Sequence, residues 1–133
     1  ISLKNLAGRL GIVGQVIFTG QVHNIWDYYA AFDLFILPTL SEGLAMTLLE
    51  AMSYGIPCIS SDCMSGPRDM IKPGINGDLY PPSDLKQFIH LLNQILSGQM
   101  KYDSNLIPET IDNFYNEVYF QHLRSAIFSK INK

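Results

Sequence analysis

The chain has 133 residues, 47% hydrophobic and 16% charged, enough apolar content for one domain with a buried core and too much for a disordered tail. Nine Lys/Arg against twelve Asp/Glu give a net charge of −3, so the basic footprint of a nucleic-acid-binding module is absent. No apolar run reaches the ~18 residues of a membrane span, and no charged-then-apolar leader opens the chain.

Hydrophobic spacing predicts alternating helices and strands. Leu3, Leu6, Ala7 and Leu10 recur at helical intervals over residues 2–10, with Gly11 as a stop. Val16-Ile17-Phe18, closed by Gly20, reads as a short strand. Asn24 is a candidate N-cap for a helix over 25–32. Residues 34–37 form a second apolar strand, stopped by Pro38, and 39–43 are a polar loop. A helix follows over 44–54, ended by Gly55 with Pro57 beyond it. Residues 58–60 are a third strand. A short helix spans 66–71 with Pro67 at its first position. Asn76-Gly77 is a turn into a weak strand over 78–80. Ser83 or Asp84 caps an amphipathic helix whose apolar stripe is Leu85, Phe88, Ile89, Leu92, Ile95 and Leu96. Residues 97–108 are loop-like, and a last helix is predicted over 109–128, with Ile111, Phe114, Val118 and Ile127 on its apolar side.

Apolar strands separated by helices are the pattern of a parallel sheet covered on both faces, so the fold class is α/β. Ligands of such sheets bind at the carboxyl ends of the strands. That directs attention to the loops at 20–24, 38–43, 60–66 and 73–77.

The stretch from Ser41 to Gly55 is the most informative. The second strand feeds a helix whose first amides, those of Gly43, Leu44 and Ala45, have no partner within the helix. They carry the positive end of the helix dipole and suit a phosphate, and Gly43 lets a ligand come close to the backbone. The alternative is a helix capped by Ser41 with no ligand. Glu50 lies mid-helix among Leu48, Leu49, Ala51 and Met52, with no cation three or four positions away. A buried carboxylate there requires a tertiary partner or a ligand with hydroxyl groups, such as the vicinal diol of a ribose. Its bland counterpart is an exposed glutamate on a polar stripe with Thr47 and Ser53. Glu42 and Glu50 stand about 12 Å apart if both are helical, beyond the roughly 5–9.5 Å of glycosidase acid/base pairs, so hydrolysis is discounted.

These residues also carry a family resemblance. Glu42-Gly43-Leu44-Ala45-Met46-Thr47-Leu48-Leu49-Glu50 resembles the E-x7-E motif of GT-B retaining glycosyltransferases, family 4. Gly55-Ile56-Pro57-Cys58-Ile59-Ser60-Ser61-Asp62 is similar to that family's G-x-P continuation, and Gly66-Pro67-Arg68-Asp69-Met70-Ile71 with Gly74-Ile75-Asn76-Gly77 to its GP and G-x-N-G segments. Upstream, residues 16–20 and 29–38 match further pieces. The resemblance implies that residues 1–133 are a fragment of a Rossmann-like C-terminal domain binding a nucleotide-sugar donor, UDP-sugar favoured. It also implies retention of anomeric configuration, no catalytic metal and no other cofactor. Glu50 is matched to a ribose contact. Glu42 is matched to a glutamate beside the transferred sugar and is the catalytic candidate. Gly43, Leu44 and Ala45 are matched to phosphate and sugar contacts, with Thr47 a weaker phosphate contact.

Departures from the family pattern are specific. Leu44-Ala45 stands where Phe-Gly or Leu-Pro is common, and Asp69 where Glu is common. Two preceding strands, bearing the Arg and Lys that neutralise donor pyrophosphate, are not in the chain, nor is the acceptor-binding N-terminal domain. In a strand order of 3-2-1-4-5-6 the missing strands are the first two, which leaves the strand at 16–18 without a link to the one at 34–37. We therefore expect a longer enzyme, strands borrowed from a partner or a swapped copy, or a rearranged sheet. The opening residue, Ile1, also reads as the start of a fragment, and the fragment alone is expected to be inactive. The second functional reading is a non-catalytic nucleotide-sugar-binding or assembly module that needs a partner chain.

Other residues are weaker candidates. His23 is placed to line a base pocket or carry a proton, Asp62 to face the sugar, and Arg68 to offset donor phosphate charge. Each has an ordinary alternative as a loop or surface residue. Ser65 and Gly66 are placed to approach the ligand by backbone. Trp26, Tyr28 and Tyr29 read as packing, Asn76-Gly77 as a turn, and Cys58 as core. Cys63 lacks an activating neighbour, and the two cysteines form neither a disulfide framework nor a metal knuckle. His90 and His122 have no second ligand at metal spacing. The expected partners are a nucleotide-sugar and a glycan or lipid-linked acceptor, in a polysaccharide-building enzyme. Its expected setting is the cytoplasm, peripheral to the inner face of the membrane.

Overall fold

The computed structural model describes residues 2–114. In chain order it contains α1 (Leu3–Arg9), α2 (Ile25–Tyr29), β1 (Phe35–Leu37), α3 (Met46–Ser53), β2 (Cys58–Ser61), α4 (Pro67–Met70), β3 (Gly77–Tyr80) and α5 (Leu85–Leu96). Single 3₁₀ segments lie at Val13–Gln15 and Pro108–Phe114. The three strands form one parallel sheet in the order β1-β2-β3, with Ile36 beside Ile59 and Ile59 beside Asp78. The fold is α/β, a partial Rossmann-like sheet with helices on both faces.

Alternation along the strands splits the core in two. Cys58, Phe35, Leu37 and Leu79 face α3, α4 and the 108–114 segment, where Leu48, Met52, Met70, Ile107 and Ile111 are buried. Ile59, Ile36 and Tyr80 face the opposite way, toward Leu91, Phe88 and Ile95 of α5. β2 is buried at every position, as an apolar parallel strand between two helical layers must be. β1 is only half-buried, because among the described residues nothing pairs with its outer edge.

Several element bounds differ from expectation. Residues 16–18 are not a strand: Val16 is extended, but the segment joins no ladder and Ile17 is 87% exposed. A strand needs a neighbour for its backbone groups, and the sheet begins at β1. The three described strands keep the order of the last three in the family pattern, so the sheet is not rearranged. α2 ends at Tyr29 rather than residue 32. The Asn24 side chain does not cap it by accepting an amide; its Nδ2 donates to the Asp27 carboxylate at 2.9 Å. α3 starts at Met46, two residues late, because Ala45 at ψ 72° is not helical. Asp84 caps α5 by accepting the Gln87 amide at 3.0 Å, while Ser83 makes the turn before it with φ 67°. Gly55, φ 73°, ends α3 where a Cβ would stand 2.5 Å from the Ser104 carbonyl oxygen, so glycine is required twice over. Of the helix expected over 109–128, the described part is the 3₁₀ segment; Val118, Ile127 and His122 lie outside the described residues. Among the described residues no helix is long and apolar enough to cross a membrane.

Candidate functional site

The site is built on the loop that leaves the carboxyl end of β1. Three serines hold that loop from behind. Ser60 Oγ donates to the Leu37 carbonyl at 2.8 Å, and Ser61 Oγ donates to that of Thr39. Ser65 Oγ donates to the carbonyl of Glu42. Ser60 and Ser61 are buried at the end of β2, and a buried hydroxyl must find a partner. The unwinding backbone of the neighbouring strand supplies it. Thr39 adds a local turn, its hydroxyl donating to the Ser41 carbonyl at 3.0 Å.

Beyond these tethers the chain runs through Glu42-Gly43-Leu44-Ala45 into α3. Among the described residues the amides of Gly43, Leu44 and Ala45 donate to nothing, and Ser41 does not cap the helix. The late start of α3 leaves them free. A Cβ at Gly43 would meet nothing within 4 Å, so the front of the loop is open. Thr47 is exposed on the first turn of α3. Glu42 is half-buried, and its carboxylate has no hydrogen-bond partner among the described residues.

Glu50 is half-buried on α3, and its tertiary partner is Tyr29, whose hydroxyl donates to Oε2 at 2.9 Å. Burial, the bond to Glu50 and that carboxylate's charge all push the phenol's pKa well above its ordinary 10.0, so it stays a donor. Among the described residues no group donates to Oε1 of Glu50. The carboxylate opens onto a cleft of about 250 Å³ walled by Trp26, Met46, Leu49 and Phe114. Trp26 lies near-parallel to Tyr54, centroids 6.4 Å apart and 13° between planes. A second cleft, about 290 Å³, opens between the ends of the strands and α5 beside Leu40, Ser61 and Phe88; none of the predicted ligand contacts line it.

The weaker candidates are not gathered at this site. Arg68 and Asp62 form a bidentate pair at 2.7 and 3.0 Å, which holds the Asp62 carboxyl below its ordinary range. Each is engaged by the other at the surface. His23 is exposed and has no hydrogen-bond partner among the described residues. Ser65 and Gly66 pack behind the Glu42-Gly43 turn rather than standing at the open front. Cys58 is core as expected, and burial pushes its thiol up to about 12.

The sequence reading missed Tyr29 as the partner of Glu50 and the serines as tethers. Both left a signal. A tyrosine at an apolar position of an aromatic helix must aim its hydroxyl at an acceptor. Two serines ending an apolar strand must do the same.

Residues 2–112 match the family model described as glycosyl transferases group 1. The lipopolysaccharide 1,6-galactosyltransferase of Salmonella typhimurium is 51% identical over 94% of the chain and 36% of that protein. An Escherichia coli UDP-Gal:alpha-D-GlcNAc-diphosphoundecaprenol alpha-1,3-galactosyltransferase is 33% identical over 72% of the chain and 24% of its own length. The solved structure of the lipopolysaccharide outer core galactosyltransferase WaaB, apo form, superimposes with a TM-score of 0.89 at 49% identity, over 96% of this chain and 37% of that one. The chain thus spans little more than a third of the length of its more similar relatives. With a family model across nearly all the described residues and a relative half identical along them, this chain belongs to the group 1 glycosyl transferases.

Proposed function

We propose that residues 1–133 are part of the donor-binding domain of a retaining galactosyltransferase. The enzyme would move the sugar of UDP-galactose to a hydroxyl of a lipopolysaccharide or other lipid-linked glycan. The carrying observation is the run of amides at Gly43, Leu44 and Ala45 without a partner among the described residues, the first two at exposed positions of a tethered loop at the head of α3. Relatives named as galactosyltransferases support the sugar, and the one named for UDP-Gal supports the base.

In this reading the three amides and the Thr47 hydroxyl bind the donor diphosphate. Glu50 keeps Oε2 on Tyr29 and offers Oε1 to a ribose hydroxyl. Glu42, whose carboxylate is unpaired among the described residues, stands beside the transferred galactose. Catalysis then rests on holding donor and acceptor in line and on amide dipoles aimed at the charge that grows on the leaving diphosphate. The leaving phosphate accepts the acceptor's proton, so neither a carboxylate pair nor a metal is invoked. The acceptor is held by an N-terminal domain, and the enzyme works at the inner face of the membrane.

In the full-length protein, Glu50→Gln should raise the KM for UDP-galactose at least about fivefold, as ~1 kcal/mol of a charge-assisted hydrogen bond is lost. Calorimetric titration should also show UDP binding in preference to GDP and ADP. An unchanged donor KM, or preference for another base, overturns the corresponding part of the proposal.

A further inference from the structure

Ser65 lies on the loop after β2, twenty-three residues from the Glu42 whose carbonyl accepts its hydroxyl hydrogen bond. The next residue, Gly66, sits against the same turn: a Cβ there would stand 3.1 Å from the Gly43 carbonyl oxygen and 3.4 Å from the Ala45 nitrogen. Its φ of 77° is one that glycine adopts without strain. The 65–66 segment therefore braces the rear of the loop, and its front, where Gly43 lacks a side chain, is open.

The planarity of the peptide unit turns this brace into a statement about direction. Among the described residues every peptide bond is trans, and in a trans unit the C=O and N–H point opposite ways. The carbonyl of Glu42 and the amide of Gly43 belong to one such unit. With the carbonyl drawn back onto Ser65, the amide of Gly43 must point forward, away from Ser65. We infer that Ser65 is a positioning residue for the diphosphate end of the donor: it aims the Gly43 amide at the ligand by holding the Glu42 carbonyl. Without that bond the peptide unit is free to rotate, and the amide loses its direction while the rest of the loop stays tied by Ser60 and Ser61. The inference rests on the donor reading above.

The test separates phosphate from nucleoside. In the full-length protein, binding of UDP, GDP and ADP and of uridine, guanosine and adenosine is measured by calorimetry, weak ligands by displacement. The variants are Ser65→Ala, Ser65→Thr and Glu50→Gln, and melting curves accompany each. For the nucleotide that the wild type binds, Ser65→Ala should weaken the diphosphate about fivefold, the effect of one lost hydrogen bond, and leave the matching nucleoside unchanged. Ser65→Thr keeps the hydroxyl at an exposed position and should restore binding. Equal loss for nucleoside and diphosphate, no loss at all, or failure of threonine to rescue overturns the inference. If Glu50→Gln weakens binding and Ser65→Ala does not, only the role of Ser65 falls. If the wild type binds none of the nucleotides, the donor reading falls and takes this inference with it.

Discussion

Tyr29 and Glu50 are twenty-one residues apart and meet through one hydrogen bond at the edge of the core. The bond fixes the carboxylate on α3 and leaves its second oxygen without a donor among the described residues. Replacing Tyr29 by Phe keeps the packing on Phe32 and Phe35 but removes the donor. It should cost about 1.5–3 kcal/mol in denaturant unfolding, as expected for a hydrogen bond to a charged group. The phenol also has a pH signature. Its folded pKa is raised, so its share of stability is complete below pH 10.0, the ordinary tyrosine value, and falls as pH rises beyond it, where only the unfolded phenol ionises. Tyr102, half-buried and donating to Asp78 at 2.7 Å, is raised for the same reasons and acts in the same direction. Stability measured from pH 9 to 11 should therefore decline in the wild type and less steeply in Tyr29→Phe. An equal slope in both would dismiss the bond as a determinant.

Elements in this chain are short and depend on side chains from elsewhere. α4 is one turn, Pro67–Met70, and could not persist alone. Asn76 secures its end. Fully buried, it accepts the Lys72 amide at 2.7 Å and donates to the Met70 carbonyl at 3.0 Å and to Thr110 Oγ1 at 2.7 Å. Read as part of a turn dipeptide, Asn76 is in fact the knot that joins α4, the entry to β3 and the 108–114 segment. Asn76→Ala would take a partner from the Lys72 amide and the Met70 carbonyl, leave Thr110 only its bond to the Ile107 carbonyl, and should destabilise by roughly 2–4 kcal/mol, seen as a lower denaturant midpoint. A change within ~0.5 kcal/mol would mean that water replaces the side chain. The same dependence explains the shift at α3. Apolar spacing marked a helix from residue 44, but the serines behind the loop hold its backbone in a path that the helix does not join until Met46.

At the scale of the molecule, the described sheet is open on one side. β1 has a free outer edge, residues 16–18 stand unpaired, and α5 shows Leu85, Ile89 and Leu96 to solvent, the last 74% exposed. Unpaired edges and exposed apolar residues promote association. The isolated 133-residue chain should therefore run heavier than a monomer in size-exclusion with light scattering, whereas the full-length protein should not associate through this face. A clean monomer of the isolated chain would show that the open edge is tolerated.

Class and the position of the loop were legible in the sequence, because apolar periodicity and glycine and proline stops are local properties, whereas strand order came from the family resemblance. The amides of Gly43, Leu44 and Ala45, unpartnered among the described residues, were legible too, since the first amides of a helix have no partner within it. Three things were decided only by tertiary structure. Glu50 found Tyr29, Arg68 found Asp62, and 16–18 found no strand to join. Each outcome depends on which groups the fold brings together, six residues apart for Arg68 and Asp62 and twenty-one for Tyr29 and Glu50, and hydrogen bonds and ladders are made only by what is near in space. The chain's own pattern stated that these groups required partners; the folded arrangement chose them.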